Sequence, residues 1–112
     1  MGLSNTQQVF TNNIALLIIE AKELEIGLTF GHAWRSLDDQ KRLVAEGKSR
    51  TLKSKHLDRL AVDFNFFING KLTYDKHKLK ALGDYWESLH QDNEWGGNWT
   101  SFVDTPHFQM NY

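Results

Sequence analysis

Residues 60–70 read Leu-Ala-Val-Asp-Phe-Asn-Phe-Phe-Ile-Asn-Gly, a run of aromatic and β-branched residues that ends in a turn signal. Such residues favour a strand, and Asn69-Gly70 favours the type I′ turn of a hairpin that returns through residues 72–74. Successive side chains of a strand point to opposite faces of the sheet, so Asp63 faces away from the large aromatic side chains. We therefore expect Asp63 to face a cleft.

A helix and a strand are expected before this hairpin. Apolar residues recur at steps of three and four between Asn5 and about Glu25, which predicts a helix with one buried face and with Asn5 or Thr6 as its cap. Residues 27–35 place β-favouring residues between glycines, and they predict a strand that carries Arg35.

Two further helices are expected on either side of the hairpin. Ser36 followed by Asp39 resembles a capping box, with the carboxylate reaching back to the amide of the cap residue, and it predicts a second helix that ends near Gly47. Asp75 is suited to cap a third helix that runs to about His90, because apolar residues there step by three and four along one face.

The last strand is expected at residues 107–110, after a turn-rich segment. The order helix, strand, helix, strands, helix, strand predicts an α+β fold in which a small antiparallel sheet packs with about three helices. With 112 residues, of which 40% are apolar, the chain fits one compact domain over residues 1–112.

Cysteine is absent from the chain. Its absence excludes disulfides, cysteine-ligated zinc, iron–sulfur clusters and a thiol nucleophile. Histidine and carboxylate side chains are therefore the strong metal ligands that remain.

The net charge of -1 argues against a nucleic-acid partner bound through a broad basic face, because such binding needs many clustered cations. A local basic cluster nevertheless precedes His56, formed by Lys48, Arg50, Lys53 and Lys55. We interpret this cluster as a solvated loop, with the steering of an anionic polymer as the alternative.

No membrane partner is expected. The longest apolar run, Ile14 to Ile19, is much shorter than the about 20 residues that span a bilayer. Residues 1–5 have neither a basic region nor a small-residue cleavage site, so we expect synthesis in the cytoplasm without a signal peptide.

Two histidines and an aspartate form a candidate metal site. His56 and Asp63 are seven residues apart, so a bend near residues 58–59 is needed to bring both to one zinc ion. His107, which opens the last strand, is the candidate third ligand. Two histidines and one carboxylate leave a fourth position for water, as in catalytic zinc sites. By spacing alone, however, the three residues are as consistent with surface or satisfied core positions.

Three segments resemble motifs of the family of zinc D-alanyl-D-alanine carboxypeptidases and L-alanyl-D-glutamate endopeptidases. Residues 54–63, Ser-Lys-His-Leu-Asp-Arg-Leu-Ala-Val-Asp, resemble its signature of Ser-x-His, six residues and Asp. Residues 95–99, Trp-Gly-Gly-Asn-Trp, and 102–108, Phe-Val-Asp-Thr-Pro-His-Phe, resemble its second motif as found in phage endolysins. Trp-Arg-Ser at 34–36 matches its arginine-containing segment, and the resemblance runs from about residue 27 to residue 111.

The resemblance implies the hedgehog/DD-peptidase fold and a zinc ion (Zn2+) bound by His56, Asp63 and His107. It also implies that Asp104 is the catalytic base and that Arg35 assists at the substrate carbonyl. The chain departs from the family pattern at position 59, where many relatives have glycine and this chain has arginine. That departure puts the local bend in doubt but changes no proposed ligand.

Each catalytic residue has an ordinary structural alternative. Asp104 precedes His107 by three residues, and Pro106 between them forbids a regular helix, so a kinked connection is suited to place Asp104 beside the metal. Its alternative is to cap a turn. Arg35 is suited to stabilise an oxyanion or to bind a substrate carboxylate, and its alternative is a surface ion pair with Asp38 or Asp39.

Ser54 and Trp95 are candidate substrate contacts. Ser54 more plausibly orients the metal-binding loop through a hydrogen bond than attacks a substrate, since zinc would occupy the neighbouring histidine. Trp95 and Trp99 are suited to form a wall for a peptide or a sugar, but large aromatic residues in a small protein usually belong to the core.

The expected function is that of an endolysin-like peptidase that hydrolyses peptidoglycan stem peptides at the L-alanyl-D-glutamate bond. The alternatives are a D-alanyl-D-alanine carboxypeptidase or dipeptidase and a non-catalytic zinc-binding module on the same fold. We expect a monomer that is made in the cytoplasm and reaches the cell wall when a separate membrane pore releases it.

Overall fold

Three helices and five strands form the protein in a computed structural model, which describes residues 2–112. The helices are α1 (Leu3–Glu23), α2 (Leu37–Ala45) and α3 (Lys76–Leu89). The strands are β1 (Gly27–Phe30), β2 (Ala61–Ile68), β3 (Lys71–Thr73), β4 (Asn93–Trp95) and β5 (His107–Met110). Two short 3-10 turns span Lys55–Asp58 and Gly96–Asn98. The expected α+β class is confirmed.

Strand β2 organises a five-stranded antiparallel sheet of order β1-β2-β5-β4, in which β3 also pairs with β2. The predicted hairpin is present, and its turn residues Asn69 and Gly70 have positive φ angles of 53° and 77°. These are the angles that a type I′ turn requires. On the other half of β2, Asp63 lies directly opposite His107 of β5.

The hydrophobic core lies between the aromatic face of the sheet and helices α1 and α3. Phe64 and Phe66 of β2 are fully buried, and both rings pack edge-on against Phe108 of β5. Trp86 of α3 packs against the same ring. Each such aromatic ring contributes roughly 2–3 kcal/mol through burial, so the strands that carry the candidate ligands are held by the core itself.

The predicted starts of α2 and α3 are confirmed. Ser36 Oγ accepts a hydrogen bond from the Asp39 amide at 3.1 Å, and the Asp75 carboxylate accepts one from the His77 amide at 2.9 Å. The reciprocal bond of a capping box, from the Ser36 amide to the Asp39 carboxylate, is not formed in the described part of the chain.

The predicted cap of α1 is wrong. The helix begins at Leu3, and the amides of Asn5 and Thr6 donate to the carbonyl of Gly2. Both residues are thus inside the first turn rather than before it. Nothing in the apolar spacing marks the first turn of this helix, because its early residues are exposed.

The strand predicted over residues 27–35 is too long. Strand β1 ends at Phe30, although Gly31 and His32 each form one further backbone hydrogen bond with Asp63, both of 2.8 Å. The chain then leaves the sheet, and the Arg35 amide donates to the carbonyl of His56 at 3.3 Å. This departure brings Arg35 to the first 3-10 turn instead of leaving it at the sheet edge.

Helices of residues 2–112 are too short or too polar to cross a lipid bilayer.

Candidate metal centre

Three elements bring His56, Asp63 and His107 together. Asp63 Oδ1 lies 3.3 Å from His56 Nε2 and 3.2 Å from His107 Nδ1. One ligand atom from each residue lies within 4.8 Å of the others, which is a spacing that could hold a metal ion. The antiparallel register accounts for the Asp63–His107 contact, because residues directly opposite each other carry side chains on the same face.

The first 3-10 turn delivers His56. Ser54 Oγ accepts a hydrogen bond from the His56 amide at 3.2 Å at the start of this turn. Arg59 ends the turn in the left-handed region, with φ 58° and ψ 35°. The predicted bend is therefore present with arginine at position 59, and the Arg59 guanidinium lies 5.1 Å from the centre of the Trp34 ring.

Hydrogen bonds assign the tautomer of His56. Its Nδ1 lies 3.0 Å from the carbonyl oxygen of Ala33, so Nδ1 carries the proton and donates it. In the neutral ring Nε2 then holds a lone pair, and this atom is buried without a hydrogen-bond partner. It lies at ion-pair distance from Asp63 Oδ1 but without hydrogen-bond geometry. The lone pairs of His56 Nε2 and Asp63 Oδ1 face each other and repel, and a cation between them would stabilise the site.

His107 is oriented in the same way. Its Nε2 lies 2.8 Å from Gln109 Oε1, and Gln109 is fixed in turn because its amide group donates to Asn111 Oδ1 at 3.0 Å. The Nε2 atom of His107 therefore donates, and Nδ1 faces Asp63. Gln109 thus acts as the outer partner that metal-binding histidines usually have.

Contacts among the three side chains shift the pKa values of Asp63 and His107. Burial alone would raise the pKa of Asp63, but the hydrogen bond from His107 and the contact with His56 hold it well below its ordinary range. Burial alone would lower the pKa of His107, but the hydrogen bond and charge of Asp63 raise it above its ordinary value. Two imidazole nitrogens and one ionised carboxylate are a donor set that suits zinc and related divalent ions.

Asp104 lies on the segment before β5 and lines the same cavity as His56 and His107. Burial raises the pKa of its carboxyl above the ordinary value. The Asp104 amide donates to the carbonyl of Gly96 at 2.9 Å, and its carbonyl accepts from the His107 amide at 3.1 Å. A Cβ atom on Gly96 would lie 2.3 Å from the Asp104 carbonyl oxygen, so only glycine permits this approach. The sequence marked Gly96 only as part of a turn.

Arg35 points to the candidate ligands rather than to the surface. Its Nη2 lies 3.3 Å from Asp63 Oδ2, its Nη1 donates to Gln40 Oε1 at 2.9 Å, and its Nε donates to His32 Nδ1 at 3.1 Å. Only 11% of the side chain is exposed. The alternative ion pair with Asp38 or Asp39 is not formed within residues 2–112.

Gln40 of α2 was not predicted from the sequence. Its side chain is fully buried, and its amide nitrogen donates to Ser49 Oγ at 2.9 Å and to the Thr51 carbonyl at 2.6 Å. Its oxygen receives the bond from Arg35. A glutamine on a polar helix face gives no sequence signal for this role.

The substrate-contact prediction for Trp95 is wrong. Its side chain is 0% exposed, its Nε1 donates to the Thr105 carbonyl at 2.8 Å, and its ring stacks on Phe108. Trp95 therefore belongs to the core and cannot touch a substrate. Trp99, in contrast, lines the cavity and lies 5.1 Å from the His107 ring centre. Ser54 also lines the cavity, where its hydroxyl is engaged with the His56 amide.

The cavity beside the three ligands has a volume of about 320 Å³. Most residues of the basic loop, which we define as residues 48–55, line this cavity, and so do Trp99, Phe102 and Asp104. The candidate ligands His56 and His107 also line the cavity, together with Arg35. The site therefore combines a metal-type donor set, an adjacent half-buried acid and a cleft of ligand size.

Comparison with known proteins supports this assignment. Residues 47–110, more than half of the chain, match a family described as D-alanyl-D-alanine carboxypeptidase. The chain is 39% identical over 82 residues to the L-alanyl-D-glutamate peptidase of Listeria phage A118, which covers 70% of this chain and 28% of that protein. The crystal structure of the Serratia marcescens L-Ala D-Glu endopeptidase ChiX is similar, with a TM-score of 0.65, 28% identity and coverage of 77% of this chain and 68% of that one.

Proposed function

We propose, since the chain belongs to the D-alanyl-D-alanine carboxypeptidase family, that it is a zinc peptidase which hydrolyses peptidoglycan stem peptides. The observation that carries the proposal is the buried, unpartnered Nε2 of His56, which faces a carboxylate oxygen beside a second oriented histidine. The donor set supports His56, Asp63 and His107 as the ligands and zinc as the ion.

Bound zinc would lower the pKa of a water molecule to about 7 and polarise the carbonyl of the scissile bond. One carboxylate oxygen of Asp63 faces the two histidines and the other faces Arg35. The negative charge of Asp63 therefore interacts favourably with both the metal site and the guanidinium. Ala33 and Gln109 hold the two imidazole rings in the tautomers that ligation requires.

Asp104 is the proposed base. Its carboxyl lines the cavity next to the ligand histidines, and burial raises its pKa toward the working range of a group that accepts and returns protons. Arg35 has five N–H groups, of which three are used in the bonds to Asp63, Gln40 and His32. The remaining two are suited to a carbonyl oxygen that gains negative charge.

The L-alanyl-D-glutamate bond is the proposed cleavage site. The phage relative is named an L-alanyl-D-glutamate peptidase and the Serratia relative an L-Ala D-Glu endopeptidase, which supports this bond. The chain spans 28% of the phage relative's length. The family description favours release of terminal D-alanine as the second candidate.

Digestion of purified peptidoglycan distinguishes these reactions. Mass spectrometry of the products should find new N-terminal D-glutamate and free C-terminal L-alanine. If D-alanine is the only product, the chain is a carboxypeptidase and the endopeptidase proposal fails. The zinc content of the purified protein, measured by elemental analysis, should be one ion per chain.

Asp104→Asn tests whether the fold is catalytic or only binds zinc. The variant should keep its zinc and lose about 10²- to 10⁴-fold in peptide cleavage, because proton transfer is lost while the ligands stay. Elemental analysis and product quantification are the two measurements. Full activity in the variant would remove Asp104 from the mechanism and leave the zinc-binding module as the better assignment.

We further propose that the protein acts as a monomer on the cell wall after release from the cytoplasm in which it is made. The substrate supports this route, because peptidoglycan lies outside the cytoplasmic membrane. Light scattering of the purified chain tests the monomer. Expression in a bacterial host with and without a co-expressed membrane pore tests the release, and lysis should require the pore.

A further inference from the structure

The basic loop carries four cations, and all four line the cavity beside the candidate metal centre. Lys48 is paired with Glu46 at 3.2 Å. Arg50, Lys53 and Lys55 have no carboxylate within ion-pair distance among residues 2–112. Three cations without a carboxylate partner in the described part of the chain therefore line a space in which a ligand fits.

The charge of the cavity lining is strongly unequal. Five lysine and arginine side chains line it, counting Arg35, against the single carboxylate of Asp104. Low-dielectric walls focus such a field and raise the local concentration of anions. This imbalance contrasts with the net charge of -1 for the whole chain.

Residues 49–51 of the basic loop are held in place by contacts with two other segments of the chain. Gln40 bonds Ser49 and Thr51 from the helix side. On the opposite side, the Arg50 guanidinium lies 4.8 Å from the centre of the Phe102 ring. Most residues of the loop are exposed, as expected from the sequence, and these contacts also link the loop to Arg35 through Gln40 and to Phe102 of the segment before β5.

We propose that the basic loop binds a carboxylate of the stem peptide and makes the enzyme select peptides whose carboxyl groups are free over peptides in which they are amidated. The proposal rests on the proposed function for its substrate. A carboxylate suits the site because guanidinium and ammonium groups pair with it directly, and because a cavity of about 320 Å³ admits a peptide rather than a bulky polyanion.

Three synthetic stem peptides of equal length test the proposal. One has all carboxyl groups free, one has the α-carboxyl of D-glutamate as an amide, and one has the C-terminal carboxyl as an amide. With zinc-loaded protein, kcat/KM should fall about tenfold for the amide that removes the bound carboxylate. The peptide that shows this loss identifies which carboxylate is bound, and the loss should shrink at high salt.

The variant R50Q/K53Q should lose the preference for peptides with free carboxyl groups over amidated peptides. Both side chains are exposed, so the fold is retained, and the variant should cut the free and amidated peptides at equal, reduced rates. The matched control K71Q/K78Q removes the same charge from exposed lysines outside the cavity and should keep the full preference. If the free-to-amide ratio of R50Q/K53Q equals that of the wild type, the proposal is overturned.

Peptide binding to the metal-free chain separates this inference from the proposed function. Isothermal titration calorimetry should show tighter binding of the free peptide than of the amide, and this difference should vanish in R50Q/K53Q. A wild-type chain that binds with this preference but cuts none of the peptides would contradict the peptidase and keep the carboxylate site. Equal binding of free and amidated peptides would overturn the carboxylate site.

Discussion

Gly96 is the residue on which the position of Asp104 depends most directly. Its missing side chain lets the Asp104 carbonyl approach, and a Cβ atom would also lie 3.1 Å from Cβ of His107. Backbone cannot give way as a flexible side chain can. The same residue therefore controls the proposed base and one proposed ligand.

Gly96→Ala should destabilise the protein by about 2–4 kcal/mol and weaken zinc binding, because the backbone of residues 104–107 must move. Chemical denaturation and a zinc titration measure the two effects. Gly27→Ala is the matched control, since its Cβ would make only ordinary contact at 3.5 Å with Phe67. If the Gly96→Ala protein is as stable as the control variant, a Cβ atom at position 96 does not clash with Asp104 and His107.

The opposed pKa shifts of Asp63 and His107 give the metal-free protein a defined pH response. The pKa of His107 is raised, so its contribution to stability is complete below its ordinary value and is lost as pH rises through the folded value. The pKa of Asp63 is lowered, so its contribution is lost only in strong acid. Zinc binding has the opposite dependence, because His107 must lose its proton to ligate.

The melting temperatures of zinc-loaded and metal-free protein should therefore diverge as pH rises from about 6 to about 8. Differential scanning calorimetry with zinc and with a chelator measures both curves. In His107→Gln the divergence should disappear. If the difference between the two melting temperatures of the wild type stays constant over this pH range, His107 does not exchange a proton for the metal.

Individual site residues differ in how far the sequence could predict them. His56, Asp63 and His107 are all predicted from the sequence and lie together, and the predicted residues Arg35 and Asp104 line the same cavity as the two histidines. Gln40 and Gly96 were missed because their roles arise from contacts between distant segments. Trp95 was assigned to the cleft incorrectly, since a tryptophan beside a motif looks the same whether it faces solvent or core.

At the scale of elements, α2 connects the proposed oxyanion donor to the basic loop through Gln40. Gln40→Met keeps a similar volume but leaves Arg35, Ser49 and Thr51 without their buried partner. We expect a loss of about 2–4 kcal/mol in stability, because two or more polar groups lose their hydrogen bonds.

The same variant should lower kcat while zinc content stays at one per chain, because Gln40 positions Arg35 and touches no ligand. Denaturation, steady-state kinetics and elemental analysis are the measurements. Leu52→Met, an exposed change in the same loop, is the control that should leave all three unchanged. Loss of zinc in Gln40→Met would show that its role is a general structural one.

The elements were predicted best where local chemistry is explicit. The Asn69-Gly70 turn and the caps Ser36 and Asp75 are each defined by a few adjacent residues, and all three are present. The end of β1 was placed too late because tertiary contacts decide it. Residues after Phe30 leave the sheet, and Arg35 forms a backbone hydrogen bond with His56. The residues next to Phe30 in the sequence do not indicate this distant contact.

At the scale of the whole molecule, the proposed zinc ion would join segments 51 residues apart in the chain, from His56 to His107. A ligand that binds only the folded state stabilises it by mass action, by about 4 kcal/mol at a thousandfold excess over its Kd. Chelation should lower the melting temperature correspondingly, and added zinc should restore it.

His56→Ala should abolish this zinc-dependent shift, because one of three ligands is lost. His77→Ala, at an exposed histidine of α3, should keep the full shift. Calorimetry with and without chelator measures both variants. Retention of one zinc ion per chain in His56→Ala would contradict the proposed ligand set.

The pairing of β2 with β5 has a consequence for how the molecule folds. Asp63 lies opposite His107, and the next residue, Phe108, points to the other side, into the core. A slip of one position would place the His107 imidazole in the hydrophobic core and turn the Phe108 ring toward the carboxylate of Asp63. The misaligned chain would therefore lose packing and chemistry together, so any molecule that folds to completion has also assembled its reaction centre.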